Sequence, residues 1–72
     1  MAERRLGSRL KEIRTAQGLT QADLALLVRV SRKTINTIEN GVFTPSTILA
    51  LALAGALGTT VEDLFYLVED KP

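Results

Sequence analysis

The sequence has no cysteine, no histidine and no tryptophan, and its aromatic content is two phenylalanines and one tyrosine in 72 residues. Without cysteine there is no disulfide framework, and with histidine also missing a zinc site lacks its usual ligands. The same absences remove the thiol and imidazole groups on which many nucleophilic and acid–base catalysts depend. The chain also lacks a phosphate-binding glycine loop and a nucleophile elbow, so an enzyme is not expected. The paired acids Glu62-Asp63 and Glu69-Asp70 are adjacent in sequence and read as helix-start charge and a solvated tail. The longest apolar run, 48–57, falls well short of the roughly 20 residues that span a bilayer. Residues 1–14 are charged and carry no apolar core of a secretory signal, so a soluble cytoplasmic protein with no membrane partner is expected. The lack of cysteine fits a reducing compartment.

What remains is one small domain, 1–72, that buries only about 60% of its unfolded surface. With disulfides excluded and a zinc site not expected, oligomerisation is the support left for so small a core. Net charge is only +1, but residues 1–38 hold eight basic side chains against three acidic ones and residues 39–72 one against five. That division implies a polarised molecule able to offer one side to a polyanion.

Apolar spacing and punctuation predict five helices and no strand. The first covers 4–17, with Leu6, Leu10 and Ile13 on one stripe and Gly18 as its stop. Thr20, with Asp23 three residues on, caps a second helix over 21–28 that buries Leu24, Ala25 and Val28. Arg29 and Val30 make a short turn, and Ser31 caps a third helix over 32–40 that buries Ile35 and Ile38 and ends at Gly41. Thr44-Pro45 opens a fourth helix that runs to Leu57 and stops at Gly58. Thr60 caps a fifth over 61–66, and 67–72 carry no helical signal. The expected fold class is all-α.

Residues 21–41, QADLALLVRVSRKTINTIENG, resemble the helix-turn-helix of the lambda-repressor/Cro-like (XRE) family. The likeness rests on Gln21, the small Ala25 at the helix crossing, Ile35, and Ile38-Glu39-Asn40-Gly41. It extends through Leu10-Lys11-Glu12-Ile13-Arg14, Gly18-Leu19-Thr20, Thr44-Pro45-Ser46, Ala56-Leu57-Gly58 and Val61-Glu62-Asp63-Leu64-Phe65, so it covers roughly residues 5–67. The resemblance implies a five-helix domain with its motif over 21–40 and its third helix in the DNA major groove. By that likeness Arg32, Lys33, Asn36 and Thr37 face base edges, where Arg or Lys suits guanine, Asn adenine and a Thr methyl thymine. Gln21, Ser31 and Asn40 then contact phosphates, with Arg9, Arg4 and Arg5 adding sequence-independent contacts. Arg14 and Glu39 match a structural ion pair that fixes the recognition helix.

Two positions depart from the family pattern. Arg29 stands where glycine is usual, and a left-handed backbone there costs a non-glycine residue roughly 1–2 kcal/mol. The turn is expected to relax away from that geometry, the other explanation being a phosphate contact by Arg29. The fourth helix is apolar all round, with Ile48, Ala52 and Gly55 where relatives carry charge. That pattern implies a homodimer through region 46–70, using Ile48, Leu51, Ala52, Gly55, Phe65, Tyr66, Leu67 and Val68, with 67–69 pairing as a strand across the two-fold. The implied function is a sequence-specific double-stranded DNA-binding transcriptional regulator, a nucleoid-associated repressor on a near-palindromic operator with half-sites about 34–36 Å apart. No cofactor, metal or small-molecule ligand is implied. The alternative is a protein-interaction module that keeps the fold with little DNA binding.

Overall fold

Among the described residues, four of the five helices begin at a hydroxyl. The side chains of Thr20, Ser31, Ser46 and Thr60 each accept a hydrogen bond from the backbone N–H three residues on, which satisfies one of the donors a helix start leaves unpaired. The computed structural model describes residues 4–69. The ends of the expected domain, 1–3 and 70–72, and with them the last position of the expected dimerisation region, lie outside the described residues. In order the elements are β1 (Arg4–Ser8), α1 (Leu10–Ala16), α2 (Gln21–Val28), α3 (Arg32–Glu39), α4 (Thr47–Leu57), α5 (Val61–Leu64) and β2 (Phe65–Glu69).

The helices close on one core. Leu10 of α1, Leu24 of α2, Ile35 and Ile38 of α3, Leu53 of α4 and Leu64 of α5 are fully buried, with Ala25, Ala50, Ala54, Leu57 and Phe65 around them. Each large member contributes about 1.5–3 kcal/mol by leaving water. A hydrogen bond from the Gln17 side chain to the Leu57 carbonyl, 2.6 Å, joins the ends of α1 and α4.

Helices α1 to α4 terminate alike. A residue past each helix folds its N–H back to a carbonyl five positions earlier: Leu19 to Arg14, Val30 to Ala25, Val42 to Thr37 and Thr59 to Ala54. This closure requires a left-handed residue just before the donor. Glycine fills three of those places, Gly18, Gly41 and Gly58, and Arg29 fills the fourth with φ 60°. The turn between α2 and α3 therefore does not relax, contrary to the sequence expectation, because the bond from Val30 to Ala25 holds Arg29 left-handed.

The all-α class needs correction. Residues Arg4–Ser8, expected in the first helix, form a strand that pairs antiparallel with Phe65–Glu69 in the register Leu6↔Leu67 and Gly7↔Tyr66. The stripe of Leu6, Leu10 and Ile13 is compatible with both geometries, and the Ser8 hydroxyl accepts from the Leu10 N–H where the helix begins. Gly7 supports the strand, since a Cβ at that position would overlap the Tyr66 ring packed across it. The fifth helix likewise ends at Leu64, not at Tyr66, and the fourth is capped by Ser46 one residue after Pro45. The strand over 65–69 pairs within its own chain, where the sequence reading had placed 67–69 across a dimer axis.

Replacing Arg29 by glycine should raise stability by about 1 kcal/mol, because glycine adopts the left-handed geometry without steric cost. In a domain of this size that is a rise of about 4–8 °C in a thermal melt. A melting temperature equal to the parent's or below it contradicts the strain assigned here.

Candidate nucleic-acid interface

Helix α3 is too short to be stable alone, and the protein holds it from behind with a buried ionic network. Arg14 Nε lies 2.6 Å from Glu39 Oε2 and its Nη2 3.2 Å from Oε1, so the pair is bidentate. The side chains are 8% and 2% exposed. The third guanidinium nitrogen, Nη1, donates to the Leu19 carbonyl at 2.8 Å, and Gln21 Nε2 donates to Glu39 Oε1 at 3.0 Å. The hydrogen bond to Glu39 raises the Arg14 pKa above its ordinary value. No buried side-chain polar atom among the described residues lacks a partner. The expected Arg14–Glu39 pair is present, and Gln21 joins it. Sequence reading assigned Gln21 only to phosphate; its place at the first turn of α2 was the signal that it faces the end of α3.

In front of this support, Arg32, Lys33 and Asn36 are exposed on α3 while Ile35 and Ile38 are buried behind them. Thr37 is half-buried, and its hydroxyl donates to the Thr34 carbonyl at 2.9 Å, so it is held more firmly than the other three. Ser31 is exposed at the start of α3, capping the Thr34 N–H. Asn40 Nδ2 donates to Asn36 Oδ1 at 3.0 Å, so one residue assigned to phosphate steadies one assigned to bases. That link spans four positions on one helix and follows from spacing, yet sequence reading did not make it.

A cleft of about 490 Å³ lies at the start of α2 and α3, lined by Arg14, Thr20, Gln21 and Arg32 among others. Arg9 lies elsewhere. Its guanidinium sits 4.3 Å from the centroid of the Tyr66 ring, and its backbone N–H donates to the Leu64 carbonyl, which places it at the junction of sheet and helices. There the Thr59 hydroxyl first, then Thr60 and the charge of Arg9, hold the Asp63 carboxyl below its ordinary value.

The expected dimer residues divide. Ile48, Leu51 and Leu67 are 82%, 60% and 64% exposed, and Ala52, Gly55 and Tyr66 are exposed as well. Phe65 is largely buried in its own core, because β2 turns it inward. Val68 is half-buried. Among the described residues no helix is long and apolar enough to cross a membrane.

The sequence profile of the helix-turn-helix family matches residues 10–64. An uncharacterised helix-turn-helix transcriptional regulator of Methanothermobacter thermautotrophicus is 48% identical over 62 residues, covering 85% of this chain and 90% of that one. YgzD of Bacillus subtilis, similarly described, is 38% identical over 64 residues, covering 89% and 97%. Among solved structures, the restriction-modification controller protein C.AhdI of Aeromonas hydrophila superposes with a TM-score of 0.73 at 38% identity, over 76% of this chain and 83% of that one. The clp gene regulator ClgR of Corynebacterium glutamicum gives 0.71 at 33% identity over 75% of this chain, which spans only 57% of the ClgR chain.

Arg14→Ala should cost about 3–5 kcal/mol by leaving the Glu39 carboxylate buried and unpaired. The double replacement Arg14→Met with Glu39→Leu should cost far less, because no charge is then stranded. Urea unfolding followed by circular dichroism distinguishes the two. A single variant as stable as the parent rules out the pair as the support of α3.

Proposed function

The chain belongs to the helix-turn-helix family of lambda-repressor-like transcriptional regulators, and from that premise we propose that it binds double-stranded DNA sequence-specifically and acts as a non-enzymatic repressor. The observation that carries the reading is the two-sidedness of α3: buried ionic support behind, and Arg32, Lys33 and Asn36 outward in front. Set in the major groove, those three and the Thr37 methyl reach base edges, while Gln21, Ser31 and Asn40 meet phosphates. The printed descriptions of C.AhdI as a controller protein and ClgR as a gene regulator support a regulatory role. The protein acts on DNA in the cytoplasm, and repression needs nothing beyond tight occupancy of a promoter.

The working unit is a homodimer. Ile48 and Leu51 on α4 and Leu67 on β2 are exposed leucines and isoleucine on a protein whose core is small, and a second copy covering them removes that cost. Beside them runs a groove of about 370 Å³, lined mainly by Leu6, Pro45, Ala50, Leu51, Val61 and Phe65. Two-fold symmetry then makes the operator a near-palindrome.

Selection of bound sequences from a random duplex library should enrich such a palindrome. A salt titration on the enriched duplex should show affinity falling steeply and linearly on logarithmic axes. With no enrichment and no salt-dependent binding, the alternative of a protein-interaction module replaces this reading. Separately, sedimentation at micromolar concentration should give a dimer for the parent and a monomer for Leu51→Lys. A monomeric parent sinks the dimer.

A further inference from the structure

Asn36 is the only carboxamide within α3, and one bond decides which way its amide faces. Asn40, one turn further on, donates from Nδ2 to Asn36 Oδ1 at 3.0 Å. Both residues are exposed, so the core does not orient the Asn36 amide; the bond from Asn40 does. Arg32 and Lys33, a turn earlier, make no hydrogen bond to it, so Asn40 is its only side-chain partner among the described residues. The spacing of the two is fixed by the helix end itself, where the Asn40 backbone N–H donates to the Asn36 carbonyl at 3.1 Å.

A carboxamide carries an acceptor on one side and two N–H donors on the other. With Oδ1 turned toward Asn40, Asn36 Nδ2 turns the other way, and it has no partner among the described residues. The group that α3 offers a base at this position is a free donor pair beside an acceptor already in use. We infer that Asn40 is a positioning residue that sets the polarity of base reading by Asn36. So turned, Asn36 donates. It selects guanine, whose O6 and N7 both accept, or thymine through O4, in place of the adenine that the residue type alone suggests. Adenine meets the free donors of Asn36 with a donor of its own at N6. The inference rests on the DNA-binding reading above and adds to it which hydrogen-bonding edge is read, and why.

The test is selection from the random duplex library with the full chain and its variants. The parent should enrich guanine or thymine at one position of each half-site, and Asn36→Ala should lose that preference alone. Asn40→Asp replaces the donor with a carboxylate, which only accepts. Asn36 must then turn Nδ2 toward the new carboxylate and present Oδ1 to the DNA. The preference at the same position should move to adenine or cytosine by about tenfold in relative affinity, with the other positions unchanged. The added negative charge weakens binding to all sequences alike and produces no such switch. Asn40→Ala, which adds no charge, should relax the preference at that position to within about twofold. In an Asn36→Ala background, Asn40→Asp should leave base preference unaltered. Enrichment at the remaining positions shows that each variant is folded. The inference is overturned if Asn40→Asp and Asn40→Ala keep the parent's base, or if the parent itself takes adenine or cytosine there. A parent that enriches a palindrome while the variants keep its base sinks this inference alone. A parent that enriches no sequence brings down the DNA-binding reading, and the inference with it.

Discussion

The placement of α3 depends on Arg14 meeting Glu39. Glu39 is the last residue of α3, where a carboxylate is disfavoured by the partial negative charge of the helix end, and it is almost wholly buried. Alone it is untenable. Arg14, from the middle of α1, neutralises it bidentately and spends its remaining nitrogen on the Leu19 carbonyl, so no charge is left unsatisfied. Gln21 closes the network from the first turn of α2. A buried pair of this kind adds little net stability over a hydrophobic equivalent. Its value lies in geometry: three helices are tied at one point, so the outward face of α3 has one orientation relative to α2 and not a family of them.

The sheet solves a different problem. A domain of 72 residues has little core to spare, and α5 is a single turn that ends where β2 begins. Antiparallel pairing of β1 with β2 anchors that turn to the start of the chain, and the hydrogen bond from Arg9 N–H to Leu64 O continues the closure past the strands. Tyr66 finishes it, its ring lying across Gly7 and under the Arg9 guanidinium. A cation over an aromatic face is worth about 0.5–1 kcal/mol at an exposed site. So Arg9, which the sequence reading assigned to phosphate, makes a structural contribution within its own chain.

The helix-turn-helix was legible because its signals are local and agree with one another. Thr20 with Asp23, Ser31, and Gly18, Gly41 and Gly58 set boundaries within a residue or two, and the buried set of Leu24, Ala25, Ile35 and Ile38 has helical spacing. The strands were not legible. Their residues pair across the whole length of the chain, five at each end, and neither run alternates strongly enough to declare itself. Leu6, Leu10 and Ile13 fit a helical stripe as well as they fit a strand followed by a helix. Only the partnership of Gly7 with Tyr66 decides between them, and that is a tertiary fact. Arg29 shows the opposite failure. The departure from glycine was visible, but its consequence depends on a hydrogen bond, Val30 to Ala25, that residue identity does not report.

The charge division of the sequence also changes meaning once the chain is folded. A basic first half and an acidic second half suggested two oppositely charged sides. Yet β1 and β2 pair in one sheet, with Arg4 opposite Glu69 in the register, so the basic start of the chain and its acidic end lie side by side and not on opposite sides. The polarity that survives is set by which carboxylates are engaged. Glu39 is consumed by Arg14 and Gln21, and Asp23 is turned back onto the Thr20 backbone, which with the Thr20 hydroxyl lowers its pKa. The cleft at the start of α2 and α3 is lined by Arg14 and Arg32 and by no acid. The field in front of α3 is therefore a product of pairing in the folded state and not of the count of charges along the chain.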